Sequence, residues 1–70
     1  MEFEKIQIKE DFIRLDSAMK LASIVATGGH AKVVIQEGLV KVNGEVCTMR
    51  GKKLRSGDKV EFENTGFFIV

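Results

Sequence analysis

Two short apolar runs, LVKV at 39–42 and EVC at 45–47, are separated by Asn43-Gly44 alone. Both residues of that dipeptide tolerate positive φ, and a two-residue loop of this kind turns the chain with the twist that paired strands need. The chain is therefore committed to a tight hairpin near its middle, and the remaining elements have to pack around it.

Upstream, FEKIQI places Phe3, Ile6 and Ile8 on a loose alternation that predicts a short strand with one buried face. From Leu15 to Val25 the period becomes helical. Leu15, Ala18, Met19, Ala22 and Val25 form a stripe, Leu21 and Ile24 widen it, and Asp16 falls in the first turn where the helix dipole favours an acid. Thr27-Gly28-Gly29 interrupts the pattern, with Thr27 placed to cap a second helix over about residues 29–37. Ala31, Val34 and Ile35 face inward on that helix and Gly38 stops it. Downstream of the hairpin, Ser56-Gly57-Asp58 marks a turn, KVEFE alternates through Val60 and Phe62, and FFIV reads as a last strand. Strand, two helices and then several strands predict an α+β fold. It is a small single domain over residues 1–70, with two short helices on a mainly antiparallel sheet, because the connections are too short for parallel crossovers.

Seventy residues bury only about 60% of the surface that the unfolded chain exposes, which leaves no room for a deep catalytic cavity. Cys47 is the only cysteine and His30 the only histidine, so one chain forms no disulfide and no Cys/His metal site. Cys47 in VCT reads as a small buried apolar residue, which fits a reducing cytoplasm. No basic head precedes a long apolar run, and no segment approaches the roughly 20 apolar residues of a membrane span, so a soluble, cytoplasmic chain is expected. A nucleophile–base pair is missing, GGHAK lacks the spacing of a phosphate-gripping loop, and His30 reads as a surface residue. No catalysis, metal or cofactor is expected.

The formal net charge is only +1, but it is unevenly distributed. Residues 1–16 carry three cations against five anions, residues 17–55 seven against two, and residues 56–70 one against three. The excess peaks in RGKKLR at 50–55, where Arg50, Lys52, Lys53 and Arg55 are crowded between glycine-containing turns. Such a run reads as a short exposed loop whose like charges repel until a polyanion neutralises them, and Lys32 and Lys41 are placed to extend the same surface. The hairpin is expected to set Lys41 against the helix pair.

These elements, read in order, resemble the S-four RNA-binding domain, or alpha-L motif. Arg14-Leu15-Asp16 match its opening, Ala31-Lys32, Ile35 and Gly38 its second helix, Val40 to Gly44 its VKVNG hairpin, and Gly57-Asp58 with Val60 to Phe62 its turn and strand. The motif core spans about residues 14–62. KLA at 20–22, TGG before Ala31-Lys32, and RGKKL at 50–54 are most similar to short stand-alone bacterial members. Gly28 stands where many members have arginine. The resemblance implies a partner in structured RNA, of ribosomal or transfer type. The candidate RNA-contacting set is Arg14, Thr27, Lys32, Lys41, Asn43, Arg50, Lys52, Lys53 and Arg55.

Two other readings compete. VNGEV followed by LRSGDKVEF also resembles the ubiquitin-like sulfur carriers, although those need a flexible Gly-Gly tail where this chain has FFIV. A protein-interaction module that docks an acidic partner on RGKKLR would need the same charges. Of the RNA types, structured RNA is favoured because there is no Trp or Tyr. The five phenylalanines, Phe3, Phe12, Phe62, Phe67 and Phe68, fall outside the basic region in segments that read mostly as core, so no ring is expected to stack on bases.

Overall fold

The computed structural model describes residues 2–70. Its elements are β1 (Glu2–Ile6), β2 (Ile13–Arg14), α1 (Leu15–Leu21), α2 (Gly28–Gln36), β3 (Val40–Val42), β4 (Glu45–Val46), β5 (Lys53–Leu54), β6 (Lys59–Phe62) and β7 (Thr65–Ile69). Five strands form one sheet in the order β1-β7-β6-β3-β4, and β2 pairs with β5 in a separate ladder. The architecture is the expected α+β one. Every pairing is antiparallel except β1 with β7, which is parallel because almost the whole domain serves as their crossover.

Period-two alternation decides the sheet's two faces. Val40, Val42, Val60, Phe62, Phe67 and Ile69 turn inward and join Leu15, Ala18 and Met19 of α1 and Ala31, Val34 and Ile35 of α2 in one apolar core. No polar or charged side chain is buried among the described residues. On the outer face the Phe3 ring packs against Phe68 at 5.1 Å between centroids and covers Gly66. A Cβ at Gly66 would lie 2.5 Å from the Val60 carbonyl oxygen, so the strand accepts only glycine there without shifting.

Both helices end the same way. After α2, Gly38 adopts φ 78°, its N–H donates to the Ile35 carbonyl, and Leu39 donates to Val34. After α1, Ser23 takes the corresponding position with φ 60°, with Ser23 donating to Lys20 and Ile24 to Met19. The first helix therefore stops at Leu21, short of the expected Val25, because a serine occupies the left-handed position and reverses the chain there. Ala22 and Val25 still reach the core, whereas Leu21, expected to widen the buried stripe, is exposed.

Two further expectations are corrected, and the reading of FFIV as a last strand holds. Phe62 and Phe67 are core residues and Phe3 is half-buried, but Phe12 and Phe68 are exposed. Cys47 is half-buried against the core edge rather than enclosed. The apolar C-terminal segment lies in the sheet, with β7 paired on both sides, which is not the geometry of a carrier's substrate tail.

Candidate nucleic-acid interface

The basic segment is fixed by the start of the first helix. An α-helix leaves its first N–H groups without internal partners. In α1 the Asp16 carboxylate accepts from Ser17 N–H at 2.8 Å, but the N-cap residue Arg14 supplies no side-chain cap for the N–H groups of Leu15 and Asp16. Leu15 N–H donates instead to the Lys52 carbonyl at 2.8 Å, and Asp16 N–H to the Arg50 carbonyl at 3.0 Å. Immediately afterwards Lys53 and Leu54 pair with Arg14 and Ile13, and Leu54 is fully buried. RGKKLR is thus a turn followed by a two-residue strand, not a free loop. The alternation that sinks Leu54 leaves Lys53 and Arg55 outward.

Arg14 completes this cluster. Its guanidinium passes over Gly51, where an added Cβ would meet it at 3.7 Å, and its Nη2 lies 3.2 Å from Asp16 Oδ2. Arg50, Lys52, Lys53 and Arg55 are exposed, and none has a carboxylate within 4 Å among the described residues. The backbone therefore holds four cations together without a direct ion pair among the described residues, which concentrates positive charge on this surface.

Asn43 reaches the same region from the hairpin. Asn43 and Gly44 have φ of 53° and 86°, as the tight turn requires. The Asn43 side-chain amide donates to Asp58 Oδ1 at 3.0 Å, and its oxygen accepts from Lys59 N–H at 2.9 Å. Asp58 Oδ2 accepts in turn from Arg55 N–H at 2.7 Å. That backbone donor, with the Asn43 amide and the nearby charges of Lys52 and Arg55, holds the Asp58 carboxyl below its ordinary value of 3.8 against a smaller opposing effect of burial. Asn43 is therefore a brace between the β3–β4 hairpin and the turn that follows the cationic strand. It also lines, with Val46, Met49 and Lys52, a groove of about 380 Å³ between the hairpin and the start of the basic segment.

The other candidates lie on α2 and β3. Thr27 caps α2, its Oγ accepting from His30 N–H at 3.1 Å, and Lys32 and His30 are exposed on that helix. Lys41 is exposed on β3, between the inward Val40 and Val42. It thus stands on the sheet face away from the helices rather than against them, because strand alternation, not the hairpin turn, sets its direction.

Phe12 is the residue that sequence reasoning missed. It directly precedes β2, and Lys53 Nζ lies 4.9 Å from its ring centroid. An aromatic ring thus sits inside the basic cluster. Its neighbour could be found only from the pairing of two two-residue strands, which are too short to leave a periodic signal.

The pattern of the S4 domain family matches residues 6–70. Among curated relatives, RlbA of Bacillus subtilis (strain 168), named as a probable ribosome maturation protein, is 43% identical over 65 residues, covering 93% of this chain and 92% of its own. YbcJ of Escherichia coli (strain K12), named as a candidate RNA-binding protein, is 34% identical over 62 residues, covering 89% of each chain. The uncharacterised YbcJ of Shigella flexneri matches to the same extent.

Proposed function

This chain belongs to the S4 domain family, and on that premise we propose that it binds structured RNA through the cations of residues 50–55 together with Arg14, without catalysing a reaction. The observation that carries this reading is the docking of the Arg50 and Lys52 carbonyls on the first two N–H groups of α1. It spends the backbone acceptors of the segment on the helix and leaves the side chains to the solvent as a fixed array. Exposed cations held at set spacing suit the regular phosphates of an RNA helix or stem–loop junction, where backbone shape rather than base edges dominates recognition.

The remaining candidates have subordinate roles in this mechanism. Arg14 sits across Gly51 and contributes both charge and order to the loop. Thr27 fixes the start of α2, from which Lys32 adds a peripheral phosphate contact. Asn43 acts through Asp58 by holding the turn after Arg55 in place. Lys41 contributes long-range attraction from the opposite sheet face. The name of the Bacillus relative makes ribosomal RNA the first candidate partner, in a cytoplasm that keeps Cys47 reduced.

The test is binding to a ribosomal RNA hairpin and to an unstructured RNA of equal length, with polyglutamate as the acidic-polypeptide control. The hairpin is expected to bind tightest, and Lys52→Glu with Lys53→Glu to abolish that binding in a protein that remains folded. Preference for polyglutamate, or wild-type hairpin affinity in the double variant, contradicts the proposal.

A further inference from the structure

The outward face of the β2–β5 ladder is both charged and aromatic. Arg14 and Lys53 are directly paired, so their side chains leave on the same side, opposite to Ile13 and the buried Leu54. Period-two alternation puts Phe12 on that side along one strand and Arg55 along the other. Phe12 is 36% exposed, and one ring face carries the Lys53 ammonium. The ring also forms a wall of a groove of about 300 Å³ with Ile8, Ile13 and the exposed Leu21, to which Gln7, Lys9 and Glu10 add polar and charged groups of both signs. That volume lies at the lower end for small-molecule pockets, and suits one planar heterocycle better than a larger ligand.

We propose that Phe12 is a stacking platform for one unpaired nucleobase, inserted into this groove while Arg14, Lys53 and Arg55 hold the phosphates on either side of it. The inference rests on the RNA-binding reading and extends it from backbone shape to an irregular feature of the RNA, a bulged or junction nucleotide. Free phenylalanine rings beside cations are costly to leave wet, and in the unbound protein the Lys53 ammonium partly covers this one. On binding, the inserted base stacks on the part of the ring that lines the groove, and Lys53 turns from the ring to the phosphate of the incoming nucleotide. Stacking on an aromatic side chain requires no particular base because every base has a π-face. Arg14 and Lys53 leave the ladder on one side, so the sugar–phosphate backbone runs along that cationic side. The Glu10 carboxylate is then left to accept from an exocyclic amino group of the inserted base.

The test compares two RNA hairpins that differ only in one bulged adenine. Phe12→Ala is expected to weaken binding of the bulged hairpin by about 5- to 150-fold, to leave the fully paired hairpin unaffected, and to keep the salt dependence of wild type. The chain contains no tryptophan, so Phe12→Trp supplies a single reporter. Its emission is expected to be quenched by the bulged hairpin and not by the paired one, with affinity retained. A far-UV melting curve of Phe12→Ala checks that the domain is folded. Equal losses on the two hairpins, wild-type affinity of Phe12→Ala for the bulged one, or an unquenched Phe12→Trp complex would each overturn the platform while leaving phosphate binding intact. Failure of the wild-type protein to bind either hairpin would remove the RNA-binding reading, and the platform with it.

Discussion

Asn43→Ala is expected to destabilise the domain out of proportion to its exposed position. The side chain makes two hydrogen bonds to segments fifteen and sixteen residues away, donating to Asp58 and accepting from Lys59 N–H. Two such bonds contribute about 0.5–1.5 kcal/mol each. Alanine must also take up φ 53°, a left-handed conformation that costs an ordinary residue about 1–2 kcal/mol and that asparagine adopts more readily. The expected loss is about 2–4 kcal/mol, against the roughly 3–5 kcal/mol that a core of this size supplies. It corresponds to a fall in Tm on the order of 10–30 °C. Asn43→Gly separates the two contributions, because it keeps the backbone conformation and loses only the hydrogen bonds, and should lie between wild type and Asn43→Ala. Acid adds a further check. The Asp58 carboxyl is held low in the folded protein, so its contribution is present above its unfolded value and is lost as pH falls through the lower folded value. Wild type should therefore lose stability on acidification below about pH 4 more steeply than Asp58→Asn. Urea unfolding followed by circular dichroism, repeated across this pH range, measures all of these quantities. If Asn43→Ala and Asn43→Gly both stay within about 0.5 kcal/mol of wild type, the size of a neutral surface change, the brace is refuted.

Two other substitutions probe the backbone by thermal melting. Gly66→Ala forces a Cβ to 2.5 Å from the Val60 carbonyl oxygen and 2.6 Å from the Phe3 ring, and should destabilise by about 1–3 kcal/mol, the usual range for overpacking; an unchanged Tm would mean that the strand shifts freely. Ser23→Gly relieves a positive φ of 60° at the end of α1 and should stabilise by up to about 1 kcal/mol, the left-handed penalty less the added unfolded-chain entropy of glycine; a lowered Tm would show that the serine side chain has a role of its own.

Where a single local interaction dictates structure, it was legible in the sequence. Asn43-Gly44 dictates the hairpin, Gly38 ends α2 and Thr27 begins it, because each depends only on neighbouring backbone groups. Ser23 does the same work as Gly38 without looking like a helix stop, since serine is not specialised for positive φ and the core contacts of Ala22 and Val25 bring the chain round. The charge of RGKKLR was plain, but its anchorage was not. Leu54 becomes a core residue and the Arg50 and Lys52 carbonyls become a helix cap only once β5 has met β2, nearly forty residues earlier in the chain. The same pairing carries Phe12 into the basic cluster, which is why a ring that looked like core in sequence stands exposed beside Lys53. Lys41 shows the opposite failure, since the hairpin suggested a place against the helix pair while the alternation of β3 turned it away from the helices.

The central claim, that the exposed cations on this anchored segment neutralise phosphates, is tested most directly by the salt dependence of hairpin binding. Wild type and Lys52→Gln/Lys53→Gln are titrated with the same ribosomal RNA hairpin at several salt concentrations, and log K is plotted against log salt. Each lysine that neutralises a phosphate releases counterions, so the double variant is predicted to bind more weakly at every salt concentration and to flatten the slope by about two. A slope and affinity indistinguishable from wild type would contradict the claim.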